Sequence, residues 1–167
     1  MDFKTKNIII LILFVFLQII WLNHLKIFGL LTPIVFLYPF LIMPPNKHEN
    51  LQLILAFFVG LSLDIISHTG GVFTAVTVFI TYTKKIYFWY LSKPGREFSN
   101  GILELGFLNK IIYYSIYIFI GILLIAILQS FHFQFVISRL YLIFFNTLIT
   151  VFFIIFFEYL FIIKSKT

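Results

Sequence analysis

Residues 111–128 and 140–157 each run eighteen positions without a charged side chain. Such runs are long enough for an α-helix to cross the hydrocarbon core of a bilayer. With 62% apolar residues and only 11% charged, the chain has too little polar material to cover a soluble globule. Its 24 Phe and nine Tyr fall in long continuous runs, whereas a transmembrane barrel would show alternating segments of about ten residues. The expected fold class is therefore an all-α integral membrane protein. There is no Cys, which excludes disulfides and thiolate chemistry. A net charge of +6 would suggest nucleic acid in a soluble protein. Here the charges gather between apolar runs and read instead as a record of membrane orientation.

Taken in order, the runs predict one transmembrane domain over residues 1–167, a bundle of six helices at about 7–23, 27–43, 51–67, 72–91, 107–128 and 136–163. The first follows Lys4 and Lys6 but lacks a small-x-small cleavage site, so it reads as an uncleaved helix. The second carries Pro33 and Pro39 and should be kinked or irregular, because each proline removes a backbone donor and crowds the preceding turn. Residues 44–50 and 92–97 are loops, and residues 98–105 are expected along the membrane interface. Only twelve residues, Val72 to Thr83, precede Lys84-Lys85 in the fourth run, about 18 Å of helix against a core of about 30 Å. Either both lysines snorkel while the helix continues to Leu91, or the turn before Val72 lies below the membrane surface.

Six spans place Lys4, Lys6, Lys47, Lys84, Lys85, Lys93, Arg96, Lys110, Lys164 and Lys166 on one side, and only Lys26 and Arg139 on the other. Basic residues gather in cytoplasmic loops, so both termini are expected in the cytoplasm.

The functional candidates sit in one stretch, residues 60–75. A carboxylate within a spanning helix costs about 2.5–3.5 kcal/mol on insertion scales, so Asp64 should face protein or trapped water rather than lipid and is a functional candidate. Its carboxyl group is expected to bond to Ser67, to His68 four residues on, or to backbone amides of the following turn, tying the third helix to the fourth. Gly70 and Gly71 allow a sharp turn or tight packing. His24, His68 and His132 lie on three separate turns without local ligand spacing, and no metal site or cofactor is expected. With no nucleophile elbow, zinc-protease motif, paired carboxylates or phosphate loop, no catalytic residues are assigned and the chain is not expected to be an enzyme. Glu158 reads as an interfacial residue paired with a lysine, such as Lys164. Asn146, Thr147 and Thr150 read as interhelical hydrogen-bonding positions.

Gly60-Leu61-Ser62-Leu63-Asp64, followed by Ser67, Gly70-Gly71 and Ala75, resembles the third helix of the rod shape-determining protein MreD family. The motif follows a proline-bearing second helix and a Pro-Pro loop, within a whole-chain hydropathy pattern that is also similar. The resemblance implies a non-enzymatic subunit of the bacterial cell-elongation complex in the cytoplasmic membrane, scaffolding lateral peptidoglycan synthesis. The implied partners are an MreC-like single-span protein and, through it, the MreB filament, a RodA-type glycosyltransferase and a class B penicillin-binding transpeptidase. The family is also similar in fold to substrate-binding subunits of vitamin uptake transporters. A small-molecule-binding transporter component is therefore the alternative, and it would need a polar cavity open to the outside.

Overall fold

The computed structural model describes residues 3–22, 32–45, 48–91, 102, 105–130 and 137–160. Among them the chain is all-helical. The elements are α1 (Phe3–Leu17), which continues as a π-helical turn over Gln18–Leu22, α2 (Tyr38–Ile42), α3 (Glu49–Ser67), α4 (Val72–Leu91), α5 (Phe107–Ser130) and α6 (Leu140–Glu158). Three of these, α3, α5 and α6, are long and apolar enough to cross a membrane.

The interior is mostly apolar, and so is much of the exposed surface. On α6 the buried face holds Ile143, Thr147, Thr150, Val151, Ile154 and Glu158. Its exposed face carries Phe144, Phe145, Phe152 and Phe156. Three polar residues inside and phenylalanines outside is what lipid as solvent selects, since polar groups must be paired within the protein.

The described part of the second segment is irregular. Residues 32–37 are not helical, and a helix forms only over the five residues of α2. Yet Val35, Phe36, Leu37, Tyr38, Phe40 and Leu41 are at most 1% exposed. Irregular backbone at membrane depth is tolerated only where protein supplies the missing hydrogen bonds, and the donors and acceptors can be named. The Gln18 carboxamide donates to Pro33 O at 3.2 Å and accepts from Val35 N at 2.9 Å. Thr150 Oγ1 on α6 accepts from Ile34 N at 3.2 Å. Tyr38 N then donates to Val35 O at 3.0 Å, opening α2.

The far end of α2 has a related problem. Phe40 O and Leu41 O would ordinarily accept N–H groups from residues 44 and 45, but both are prolines and have none. Side chains take their place. Lys84 Nζ on α4 donates to Phe40 O at 2.6 Å and to Met43 O at 2.9 Å, and Tyr113 Oη on α5 donates to Leu41 O at 3.2 Å. The short helix is thus held by α4 and α5. Phe14 of α1 packs on it as well, its ring centroid 4.9 Å from that of Tyr38. Farther along, Leu37 lies against α5 where Gly121 leaves room, since a Cβ there would fall 2.8 Å from Leu37 Cδ1.

Several sequence expectations are refined by these elements. The first helix starts at Phe3 and the fifth extends to Ser130. The sixth begins at Leu140, because Arg139 leaves the helical region with φ −111° and ψ 11°. Residues 23–31, 46–47, 92–101, 103–104, 131–136 and 161–167 lie outside the described residues, and with them the interfacial course expected for most of residues 98–105. Ile102 and Leu105 of that stretch are buried against the protein. Lys84 does not snorkel. It is 2% exposed with its ammonium turned into the protein, while Lys85 pairs with Glu49 at 2.6 Å on the surface.

Replacing Gln18 by Leu strips the partners from two buried backbone groups, each worth about 1–3 kcal/mol when left unpaired. Thr150→Val strips one. Gln18→Leu is expected to lower unfolding stability in detergent by about twice as much as Thr150→Val, and equal, negligible effects would show that the irregular segment is held otherwise.

Candidate functional site

Among the described residues α3 and α4 are the most extensively packed helix pair, an antiparallel hairpin whose contact face on α3 repeats every four residues as Gln52, Ala56, Gly60 and Asp64. Four-residue spacing keeps one face toward the partner, and small residues at the middle two positions let the backbones approach. Gly60 is required by that approach, since a Cβ there would lie 2.5 Å from Thr74 Cα and 2.8 Å from Thr74 N. Beside it, Thr77 Oγ1 lies 3.0 Å from Ala56 O across the interface.

At the turn end, α3 stops where His68 takes left-handed backbone angles, φ 52° and ψ 41°. The His68 and Thr69 N–H groups both return to Asp64 O. Gly70 and Gly71 follow at φ 65° and 97°, angles that favour glycine. They bring the chain straight into α4 but offer no side chain to cap it, so the first N–H groups of α4 lack a local acceptor. Asp64 supplies one from the preceding helix. Its Oδ1 accepts from Phe73 N at 2.9 Å and from the Thr69 hydroxyl, and its Oδ2 accepts from Thr74 N at 2.8 Å and the Thr74 hydroxyl at 2.6 Å. A carboxylate at 5% exposure is thereby held by four donors at a helix N-terminus, where the dipole also favours negative charge.

The sequence expectation that Asp64 ties the third helix to the fourth through backbone amides describes this arrangement, but the named side-chain partners differ. Because His68 has left the helix, its ring is exposed and no longer faces Asp64 at the i, i+4 position. Thr69 and Thr74 take that role. Among the motif residues, Gly60, Asp64, Gly70 and Gly71 build the junction, and Ser67 is the last helical residue of α3. Leu61 points away, 38% exposed. Among the described residues no three His, Cys, Asp or Glu side chains converge, and His24 and His132 lie outside them.

At the opposite end of the hairpin the polar rung is Lys84 with Gln52. Gln52 Oε1 accepts from Lys84 Nζ while Gln52 Nε2 donates to Pro44 O at 2.8 Å. A third polar centre joins α5 to α6, where Glu158, 8% exposed, accepts from Lys110 Nζ at 3.1 Å and Tyr114 Oη at 2.9 Å. Glu158 does pair with a lysine, though one from the neighbouring helix. Of the α6 candidates, Thr150 bonds across to residue 34, Thr147 bonds within its own helix to Ile143 O at 2.8 Å, and Asn146 Oδ1 is buried with no partner among the described residues.

The sequence reading missed Thr69, Thr74, Thr77 and Gln52. No local signal singled out the threonines, since Ser67 and His68 lie nearer to Asp64 along the chain.

Asp64→Asn turns one acceptor atom into a donor facing hydroxyl and amide donors, and should cost about 1–3 kcal/mol despite its matching size. Thr74→Val removes one hydroxyl and is expected to cost less. Gly60→Ala should destabilise by a similar 1–3 kcal/mol, roughly the overpacking range, because the close atoms are backbone and cannot yield. Thermal or denaturant unfolding of the purified variants ranks the three, and a wild-type Asp64→Asn would remove the carboxylate from the account. Compared with family models, with curated proteins and with solved structures, the chain matches none.

Proposed function

We propose that this chain is a non-enzymatic membrane scaffold of the bacterial cell-elongation machinery, a six-span subunit of the cytoplasmic membrane with both termini inside, working beside an MreC-like single-span partner. The observation that carries the reading is the Asp64 junction. Four of the residues that resemble the MreD motif, Gly60, Asp64, Gly70 and Gly71, help weld two helices into one hairpin, with the acidic side chain engaged by four internal donors. A scaffold needs rigid helices that present side chains to partner helices, and α6 offers exposed Phe144, Phe145, Phe152 and Phe156.

The alternative, a small-molecule-binding transporter component, draws on one feature. A cavity of about 110 Å³ lies between Gln18, Thr32, Ile34, Phe36, Leu63, Phe73, Ile125 and Gln129, near the Asp64 end of the hairpin. That volume is below the roughly 300–1,000 Å³ of pockets that enclose small-molecule ligands. A larger hollow, about 510 Å³ over His48, Glu49, Asn50, Leu51 and Ile54, is a surface depression at the opposite end.

Depleting the protein in its host should round the cells or arrest growth without creating a requirement for any vitamin. Rod-shaped growth with a specific nutrient auxotrophy would establish the transporter reading instead. For the topology, a cysteine placed at His132 of this Cys-free chain should react with a membrane-impermeant maleimide on intact spheroplasts, and one appended at the C-terminus should not. The reverse pattern would invert the orientation.

A further inference from the structure

The Lys84 ammonium sits among three oxygens: Phe40 O at 2.6 Å, Met43 O at 2.9 Å and Gln52 Oε1. An ammonium has three N–H donors, so each has an acceptor. The side chain is 2% exposed, and the nearby acidic residue, Glu49, is already engaged with Lys85 at 2.6 Å. Among the described residues no carboxylate bonds directly to this charge. It is solvated by two backbone carbonyls and an amide oxygen, the ligand set that unwound membrane segments present to free monovalent cations.

Two sequence features make those oxygens available. Pro44 removes the N–H that would have engaged Phe40 O, and Met43, extended at φ −65° and ψ 131° before that proline, turns its own carbonyl out of the helix. Gln52 is held in orientation by its second bond to Pro44 O. The carbonyl cage is thus built by the Pro-Pro corner and one α3 side chain, and α4 delivers only the charge.

We propose that these oxygens form a monovalent-cation site whose ion is supplied by the chain itself. Shortening Lys84 to Ala would leave a site of ammonium size that takes free ammonium or methylammonium in its place. The tethered ion is what seats the irregular segment and α2 on the α3–α4 hairpin, and it makes that seating independent of the ions in the surrounding solution.

The test is refolding of the full chain from denaturant into detergent with choline, potassium, ammonium or methylammonium as the only added cation. The wild-type protein is expected to refold equally in all four. Lys84→Ala should refold poorly in choline, by about tenfold if one charge-assisted contact is limiting, and should recover in ammonium or methylammonium. Lys84→Met fills the same space with a neutral chain and should lose as much without recovering. A Lys84→Ala protein that refolds equally well in every cation, or in none, overturns the proposal. Amine labelling of the folded wild type gives an independent reading. Lys84 should resist a modifier that reaches Lys85, and Gln52→Leu should expose it. Equal labelling of Lys84 and Lys85 in the wild type would show that the cage does not hold the ammonium.

Discussion

A backbone amide or carbonyl in the interior of a membrane-embedded bundle has no water to turn to, and the stretch between α1 and α3 turns that requirement into architecture. Residues 32–37 leave the helix, and α2 ends against two prolines, so this part of the chain carries several groups that no helical ladder can pair. For the groups of residues 33–41, Gln18, Thr150, Lys84 and Tyr113 are external partners. They come from four different helices or helical turns. Pairing one short segment therefore fixes α1, α4, α5 and α6 around it, and the segment acts as the axle of the bundle rather than as a passive linker.

The α3–α4 hairpin applies the same logic at both ends with opposite charges. A carboxylate caps the helix start that two glycines cannot cap, and an ammonium fills the acceptor that Pro44 leaves open together with Met43 O. Between them, Ala56 and Gly60 bring the backbones close enough for Thr77 to reach a carbonyl across the interface. The close approach and the Asp64 end depend on one another, because a Cβ at residue 60 would push away Thr74, which holds Asp64.

Much of this was legible in the sequence. The eighteen-residue uncharged runs announced the helices, Asp64 announced a buried polar junction, and Gly70-Gly71 announced a tight turn. The irregularity of the second segment followed from Pro33 and Pro39. What could not be read was partner choice across distance. Nothing local links Lys84 to residues 40, 43 and 52, and a lysine near a helix end reads more simply as reaching for the headgroups. Likewise, His68 looked like a partner for Asp64 because four-residue spacing was assumed to persist, whereas the left-handed backbone at His68 ends that spacing one residue before Thr69 takes over.

The positions of the buried charges along the chain bear on the order in which it is made. Lys84 finds its acceptors at residues 40, 43 and 52, and Glu158 finds its donors at residues 110 and 114, all synthesised earlier. Asp64 waits only for Thr69, Phe73 and Thr74, at most ten residues later. Each of these three charges can therefore be paired almost as soon as it emerges from the ribosome. Vectorial synthesis never has to hold one of them in lipid while a distant downstream helix is still being translated.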